Sequence, residues 1–297
     1  MRIGTLAVLF GLAAALDPES SHAHEFWVEP STFAVERGGR VGIRLCVGDG
    51  FEGWSLARNT QRIARFFAAG PSGDLAIVGL DGSDPAGVAR FAAPGTYVIV
   101  YRSNRAITEL SPFEFDEYLR EKGLEKIAEG RQERGASSRK VREAYSRHSK
   151  SLIRVGDADA NVIDRPMNLR LELVAEPDLF REQPDDMRFF RLLYGGKPLP
   201  GALVTAARPG TADEELRVRT DADGRAGFKL HAPGMWRIAA VHMIEPPGSI
   251  RVDWESLWTS LTFELPSRMS PIAGPAQAAR SAACRNKIMP ATGQARS

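Results

Sequence analysis

The sequence predicts a mainly β protein built as two β-sandwich, Ig-like domains with a helical insertion. Three observations predict it: short runs of period-two alternation separated by Gly, Pro and Asp turns, one internal stretch where that pattern gives way to helix signals, and a second series of alternating runs after it. Over 297 residues the chain is 43% hydrophobic and 26% charged, so it has the material for ordinary cores. Lys and Arg number 39 against 37 Asp and Glu, a net charge of +2, which gives no global attraction for nucleic acid or an anionic membrane.

Residues 1–23 have the layout of a secretory signal, with Arg2 as the basic start, an apolar run from Leu6 to Leu16, and Ser21-His22-Ala23 as a small-x-small cleavage site. Ala23 fits the small-x-small rule best, with Ala14 and Ala15 as alternative sites; cleavage after Ala23 is expected to make His24 the first residue of the mature chain and to place it in the periplasm or outside the cell. No later apolar run reaches the roughly 18 residues of a spanning helix, so no membrane span is expected in the mature chain.

Residues 24–182 are expected to form the N-terminal sandwich. Val41, Ile43, Leu45 and Val47 alternate with Gly42, Arg44, Cys46 and Gly48, and strands are further expected at 64–68, 75–80 and 96–102. The pattern changes at Ser111-Pro112-Phe113-Glu114, where an N-cap serine, proline at the first helical position and glutamate at the third make a capping box. A helix to Glu121, a break at Gly123 and a resumption over 124–131 follow. A second helix is expected to carry Val141, Tyr145, His148 and Leu152 on one face, so the insertion spans 106–155. The alternation of Leu169, Leu171 and Leu173 is read as a strand returning to the first sandwich.

Residues 183–266 are expected to form the second sandwich, with a hairpin at Gly195-Gly196-Lys197-Pro198 and a tight turn at Asp221-Ala222-Asp223-Gly224. That turn lacks the further acidic positions of a calcium loop. Residues 267–297 show no periodicity and are expected to be a disordered tail. Pairing of the two cysteines, Cys46 and Cys284, is not expected, since the second lies in that tail.

Four blocks carry a resemblance: His24-Glu25-Phe26-Trp27-Val28-Glu29-Pro30; Phe115-Asp116-Glu117-Tyr118-Leu119 with Gly123-Leu124; Tyr145-Ser146-Arg147 with Lys150-Ser151-Leu152; and Asp253-Trp254-Glu255-Ser256 with Trp258. They resemble a bacterial family of exported proteins of unknown function that is grouped with periplasmic components of nickel and cobalt uptake systems. The run Gly196-Lys197-Pro198-Leu199-Pro200-Gly201-Ala202 is similar to the regulatory-like sandwich appended to carboxypeptidases, a likeness that implies a fold and little chemistry. The first resemblance implies a membrane metal-transport component as partner.

The candidate chemistry is metal binding rather than catalysis. A terminal His24 offers its α-amine and imidazole Nδ1 to one ion, and a second histidine completes a three-nitrogen site suited to copper or nickel; the resemblance implies nickel or cobalt. His242, in phase with Trp236, Ile238 and Ala240, is the candidate partner; Asp253 is the acidic candidate, with Glu25 and Glu245 as alternatives. A histidine in that phase is also what a hydrogen-bonded core residue looks like. His148 is read as packed, His231 as a loop residue, and Trp254 and Trp258 as core aromatics. Gly53-Trp54-Ser55-Leu56-Ala57 misses the nucleophile-elbow pattern and has no α/β context, so serine hydrolase chemistry is not supported; no residue pair is singled out as glycosidase carboxylates, a copper redox enzyme ranks last, and no enzyme is expected. The competing reading is an adhesion-like or glycan-binding sandwich protein without metal.

Overall fold

The computed structural model describes residues 24–156, 164–177, 179–181, 185–211, 214–248, 250–266 and 283–288; the expected signal segment lies outside them. The strands in chain order are β1 (Glu25–Pro30), β2 (Ala34–Val35), β3 (Arg40–Asp49), β4 (Glu52–Leu56), β5 (Ile63–Gly70), β6 (Gly73–Ala76), β7 (Gly87–Arg90), β8 (Gly95–Ser103) and β9 (Ala106–Leu110). Helices α1 (Pro112–Glu121) and α2 (Glu125–Glu133) follow, then β10 (Val141–Val155), β11 (Leu171–Ala175), β12 (Met187–Tyr194), β13 (Lys197–Pro198) and β14 (Leu203–Ala207). The chain continues through β15 (Leu216–Arg219), β16 (Arg225–Lys229), β17 (Gly234–Ile244), β18 (Trp254–Leu265) and β19 (Cys284–Ile288).

The strands make three layers. The middle layer is a ten-stranded sheet ordered β15-β14-β17-β18-β10-β8-β5-β6, with β2 and β9 also paired to β10. One outer sheet runs β1-β3-β4-β19 with β7 on β3; the other runs β11-β12-β13 with β16 on β12. Alternation along the central strands distributes side chains between the two interfaces. Tyr97, Ile99, Tyr101, Ile153 and Val155 meet Phe26, Val28, Val41, Ile43 and Leu45 of the first outer sheet. Val98, Val100, Leu152, Leu257, Leu261, Phe263, Trp236 and Ile238 meet Leu171, Leu173, Phe190, Leu192 and Phe228 of the second. The two sandwiches therefore share a layer, joined where β10 and β18 pair in parallel from Glu143↔Trp254 to Ser151↔Thr262.

The capping box at Ser111 forms as the sequence predicts: Glu114 N–H donates to Ser111 Oγ at 3.2 Å, and Ser111 N–H donates to Glu114 Oε2 at 2.7 Å. Phe115, Tyr118 and Leu119 seat α1 on Val141, Val241, Met243 and Trp258, covering the part of the central sheet that the first outer sheet leaves bare.

The structure corrects four expectations. Residues 141–155, expected to hold a second helix, are the long strand β10, which puts Val141 and Tyr145 on one face and His148 and Leu152 on the other. Both of its edges are paired and both faces are covered, so the run lacks alternation, and its apolar residues fall by coincidence at helical spacing. Strand β11 pairs with β12 and so joins the second sandwich, because Leu171 and Leu173 face the core shared with Phe190 and Leu192. Of the expected tail, residues 284–288 form β19, parallel to β4; residues 267–282 and 289–297 lie outside the described residues. Finally, Cys284 is disulfide-bonded to Cys46. The bond lies in a small core with Trp27, Phe33, Phe51 and Met235, which gives β19, the last strand among the described residues, an apolar anchor that composition alone does not reveal.

Candidate functional site

The three predicted metal ligands are held by different parts of the fold. Pairing of Glu25 with Gly48 brings His24 beside the end of β3, where its Nδ1 lies 3.0 Å from Asp49 Oδ2; the side chains are 26% and 64% exposed, so this pair is open to solvent. His242 shares the phase of Trp236, Ile238 and Ala240 and faces the second outer sheet, its ring edge-on to Tyr194 with centroids 4.8 Å apart. Burial, helped by the nearby charge of Arg170, lowers the pKa of His242 and favours the neutral ring. Asp253 closes the start of β18 onto β10: its Oδ2 accepts from Arg142 N–H at 2.8 Å, and its own N–H donates to the Arg142 carbonyl. The central sheet thus stands between His24 and His242. Among the described residues no group of three or more His, Cys, Asp or Glu side chains is placed to hold a metal ion.

What the fold does assemble, beside His24, is a buried polar centre beneath α1. Arg237 of β17 is fully buried, its guanidinium 4.8 Å from the Phe51 ring centre and 5.6 Å from that of Trp27. It ion-pairs with Glu25 of β1, and its Nη2 lies 3.9 Å from Glu215 Oε1. Lys122, the C-cap of α1, donates from Nζ to Glu25 Oε1 at 3.2 Å and lies 5.9 Å from the Trp258 ring centre. Burial by itself raises the Glu25 pKa, but the charges of Arg237 and Lys122 outweigh it and hold the carboxyl ionised below its ordinary value.

Trp258 stacks on Tyr118, with ring centres 5.4 Å apart and planes 16° from parallel, and its Nε1 donates to Ser256 Oγ at 3.0 Å. The Tyr118 hydroxyl in turn donates to Glu143 Oε1 at 3.0 Å. Burial pushes the Glu143 carboxyl up to about 7, against the opposing hydrogen bonds of Ser256 and Tyr118. A small pocket opens beside this centre, lined by Glu25, Lys122, Glu215, Arg217, Val241 and Trp258.

Three of the four blocks singled out in the sequence converge here. Glu25 comes from the first, Tyr118 from the second, and Ser256 and Trp258 from the fourth. Arg237, Lys122 and Glu143 escape sequence reasoning. The available signal for Arg237 is one arginine inside the apolar run Met235 to Val241, which requires a buried acid opposite it. The remaining motifs are structural. Asp221 Oδ1 accepts from the N–H groups of Asp223 and Arg225 in a hairpin turn, and Ser55, in β4, donates to Asp84 Oδ1 at 2.6 Å.

A model of the family described as "Domain of unknown function (DUF4198)" matches residues 21–244. No curated protein matches. Among solved structures, the D0-D1 domain of Intimin is 9% identical, with 80% of this chain and 97% of that one covered and a TM-score of 0.21. Alpha-2-macroglobulin from Escherichia coli, activated by porcine elastase, is 14% identical over 82% of this chain and 20% of its own, with a TM-score of 0.21. The Salmonella alpha-2-macroglobulin reacted with methylamine is 13% identical over 81% of this chain and 15% of its own, with a TM-score of 0.20. The chain therefore spans a fifth or less of either macroglobulin, and similarities this low carry no functional argument.

Proposed function

The chain belongs to the DUF4198 family, and from that starting point we propose that it is an exported, non-catalytic carrier of a late transition metal ion, captured at His24 and Asp49 and handed to a membrane uptake system. The cargo is nickel, cobalt or copper, the first two by the resemblance of the sequence blocks to periplasmic components of such systems and the last by the affinity of amine and imidazole ligands. The observation that carries the reading is the separation of 3.0 Å between His24 Nδ1 and Asp49 Oδ2. Two ligands of one ion, each at about 2.0–2.2 Å, stand about this far apart. Cleavage after Ala23 adds the α-amine of His24 as a third donor on the same residue. His242 and Asp253 have no part in this site.

Supporting the reading is the exposure of both side chains, His24 just before β1 and Asp49 at the end of β3, where an incoming ion and a receiving protein have access. The test is native and denaturing mass spectrometry of the protein secreted from its own signal, after exposure to limiting nickel, cobalt and copper. A chain that begins at His24 and retains one ion, lost in His24→Ala, is the expected result. A chain that begins elsewhere, or one that begins at His24 and retains no ion, overturns the carrier reading in favour of a metal-free binding module.

A further inference from the structure

On the face of the central sheet opposite His24 and α1, a second polar cluster lies where β10, β17 and β18 pass the end of the second outer sheet. Its floor is buried: Glu255 is fully buried, His148 is 2% exposed and Ser146 6%. Its rim is half-exposed and cationic, with Arg102 in phase with Val98 and Val100, Arg105, and Arg170 just before β11, joined by His242 and Tyr194. The register places floor and rim on one face, since His148 pairs with Thr259 while Glu255 and Leu257 share the phase of Thr259.

Two atoms of the floor have no hydrogen-bond partner among the described residues. Glu255 Oε1 accepts from Arg105 Nε at 2.7 Å and from Arg170 Nη1 at 2.6 Å, yet its Oε2 accepts from nothing. His148 Nε2 lies 3.0 Å from Ser146 Oγ, yet its Nδ1 is unpartnered. A buried polar atom left unpaired is costly, more so on a charged group, so two such atoms on one face ask for an occupant. Burial, with the charges of Arg102 and Arg170, lowers the His148 pKa to about 3, so its ring is neutral and Nδ1 can take part as donor or acceptor according to tautomer.

The occupant has to satisfy two demands together. Two arginines, Arg105 and Arg170, ion-pair with the one carboxylate, and the charge of Arg102 acts on His148 beside it; the excess of positive charge calls for an anionic group, and arginine forks hold carboxylates well. The free Oε2 calls for a hydroxyl donor a few ångströms away. We propose that this cluster binds a small hydroxycarboxylate, its carboxylate held by Arg102, Arg105 and Arg170 and its hydroxyl by Glu255 and His148. A simple carboxylate lacks the donor, and a neutral sugar lacks the charge.

The experiment is isothermal titration of metal-free His24→Ala protein with gluconate, citrate and lactate, beside acetate and glucose. The His24 variant keeps chelation at the proposed metal site out of the reading, so failure here and failure there stay separate. At least one hydroxycarboxylate is expected to bind at least about tenfold more tightly than acetate or glucose, the effect of one charge-assisted hydrogen bond. Arg105 is 44% exposed, so Arg105→Ala is expected to fold normally and to weaken binding by a similar factor, while Arg217→Ala, on the opposite face, leaves it unchanged. Glu255→Gln is expected to erase the preference for the hydroxy acid over acetate. The proposal is overturned if none of the three binds at millimolar concentration, if acetate binds equally well, or if Arg105→Ala binds as the parent does.

Discussion

Cys46, in the middle of β3, is bonded to Cys284 at the start of β19, 238 residues later. The bond ties the last described strand to the edge of the first outer sheet, where β19 pairs with β4. A cross-link closing so long a loop restricts the unfolded chain strongly, by about 5 kcal/mol in the chain-entropy model. Urea unfolding of the oxidised protein is therefore expected to show a midpoint well above that of the Cys46→Ser/Cys284→Ser variant, with a stability difference of about 2–5 kcal/mol. A difference below about 1 kcal/mol would show that β19 adds little to the fold.

The ion pair of Glu25 with Arg237 predicts an asymmetry between its two partners. Glu25→Gln takes the close acid from a fully buried guanidinium and leaves only Glu215 at 3.9 Å, a cost of about 3 kcal/mol, the low end for a broken buried pair. Arg237→Met keeps an unbranched side chain between Trp27 and Phe51 and leaves Glu25 its bond to Lys122, so it is expected to cost less. Thermal unfolding of the two variants decides the matter, and a larger loss for Arg237→Met would overturn the assignment of Arg237 as the dependent partner.

Local rules reach as far as the elements that are solvated on one side. The alternation of Val41, Ile43, Leu45 and Val47 marks β3, and Ser111 with Glu114 marks the start of α1, because each needs only its neighbours in sequence to be recognised. Strand β10 is hidden because its partners are distant: the Thr259 hydroxyl that reaches the His148 carbonyl comes from 111 residues away. With both faces covered, Ser146, His148 and Lys150 are as buried as Leu152, and the polarity pattern that would announce a strand is gone. At the candidate site, the choice of His24 rests on the expected cleavage after Ala23, whereas Asp49 lies beside it only through the pairing of β1 with β3. His242 looks like a partner in one dimension, and the central sheet separates it from His24 in three.

Glu143 makes stability depend on pH. In the folded protein its carboxyl keeps its proton up to about pH 7, held by burial, whereas in the unfolded chain it ionises around 4.5. Between these values the folded state binds more protons than the unfolded state, so this residue's contribution to stability falls as pH rises through the window and is constant above it. In Glu143→Gln, which keeps an acceptor for the Tyr118 hydroxyl, that dependence is expected to vanish. Melting temperatures of the two proteins from pH 4 to pH 8 should therefore move apart, the parent losing ground to the variant as pH rises. Parallel curves would mean that Glu143 is ionised in the fold.

The proposed capture of a metal ion at His24, made N-terminal by the expected cleavage after Ala23, predicts a distinctive set of dependences. The α-amine and the imidazole of His24 bind an ion only when deprotonated, so affinity for nickel or copper is expected to fall on acidification. Asp49→Asn keeps the shape beside His24 Nδ1 but removes the charge that attracts the ion, and a loss of roughly tenfold to a hundredfold is expected. His242→Ala, beyond the central sheet and against Tyr194, is expected to change nothing. Competition titrations with a chromophoric chelator at several pH values measure all three. Loss of affinity in His242→Ala equal to that in Asp49→Asn would place the ion on the other face of the sheet, and unchanged affinity in Asp49→Asn would remove the carboxylate from the site.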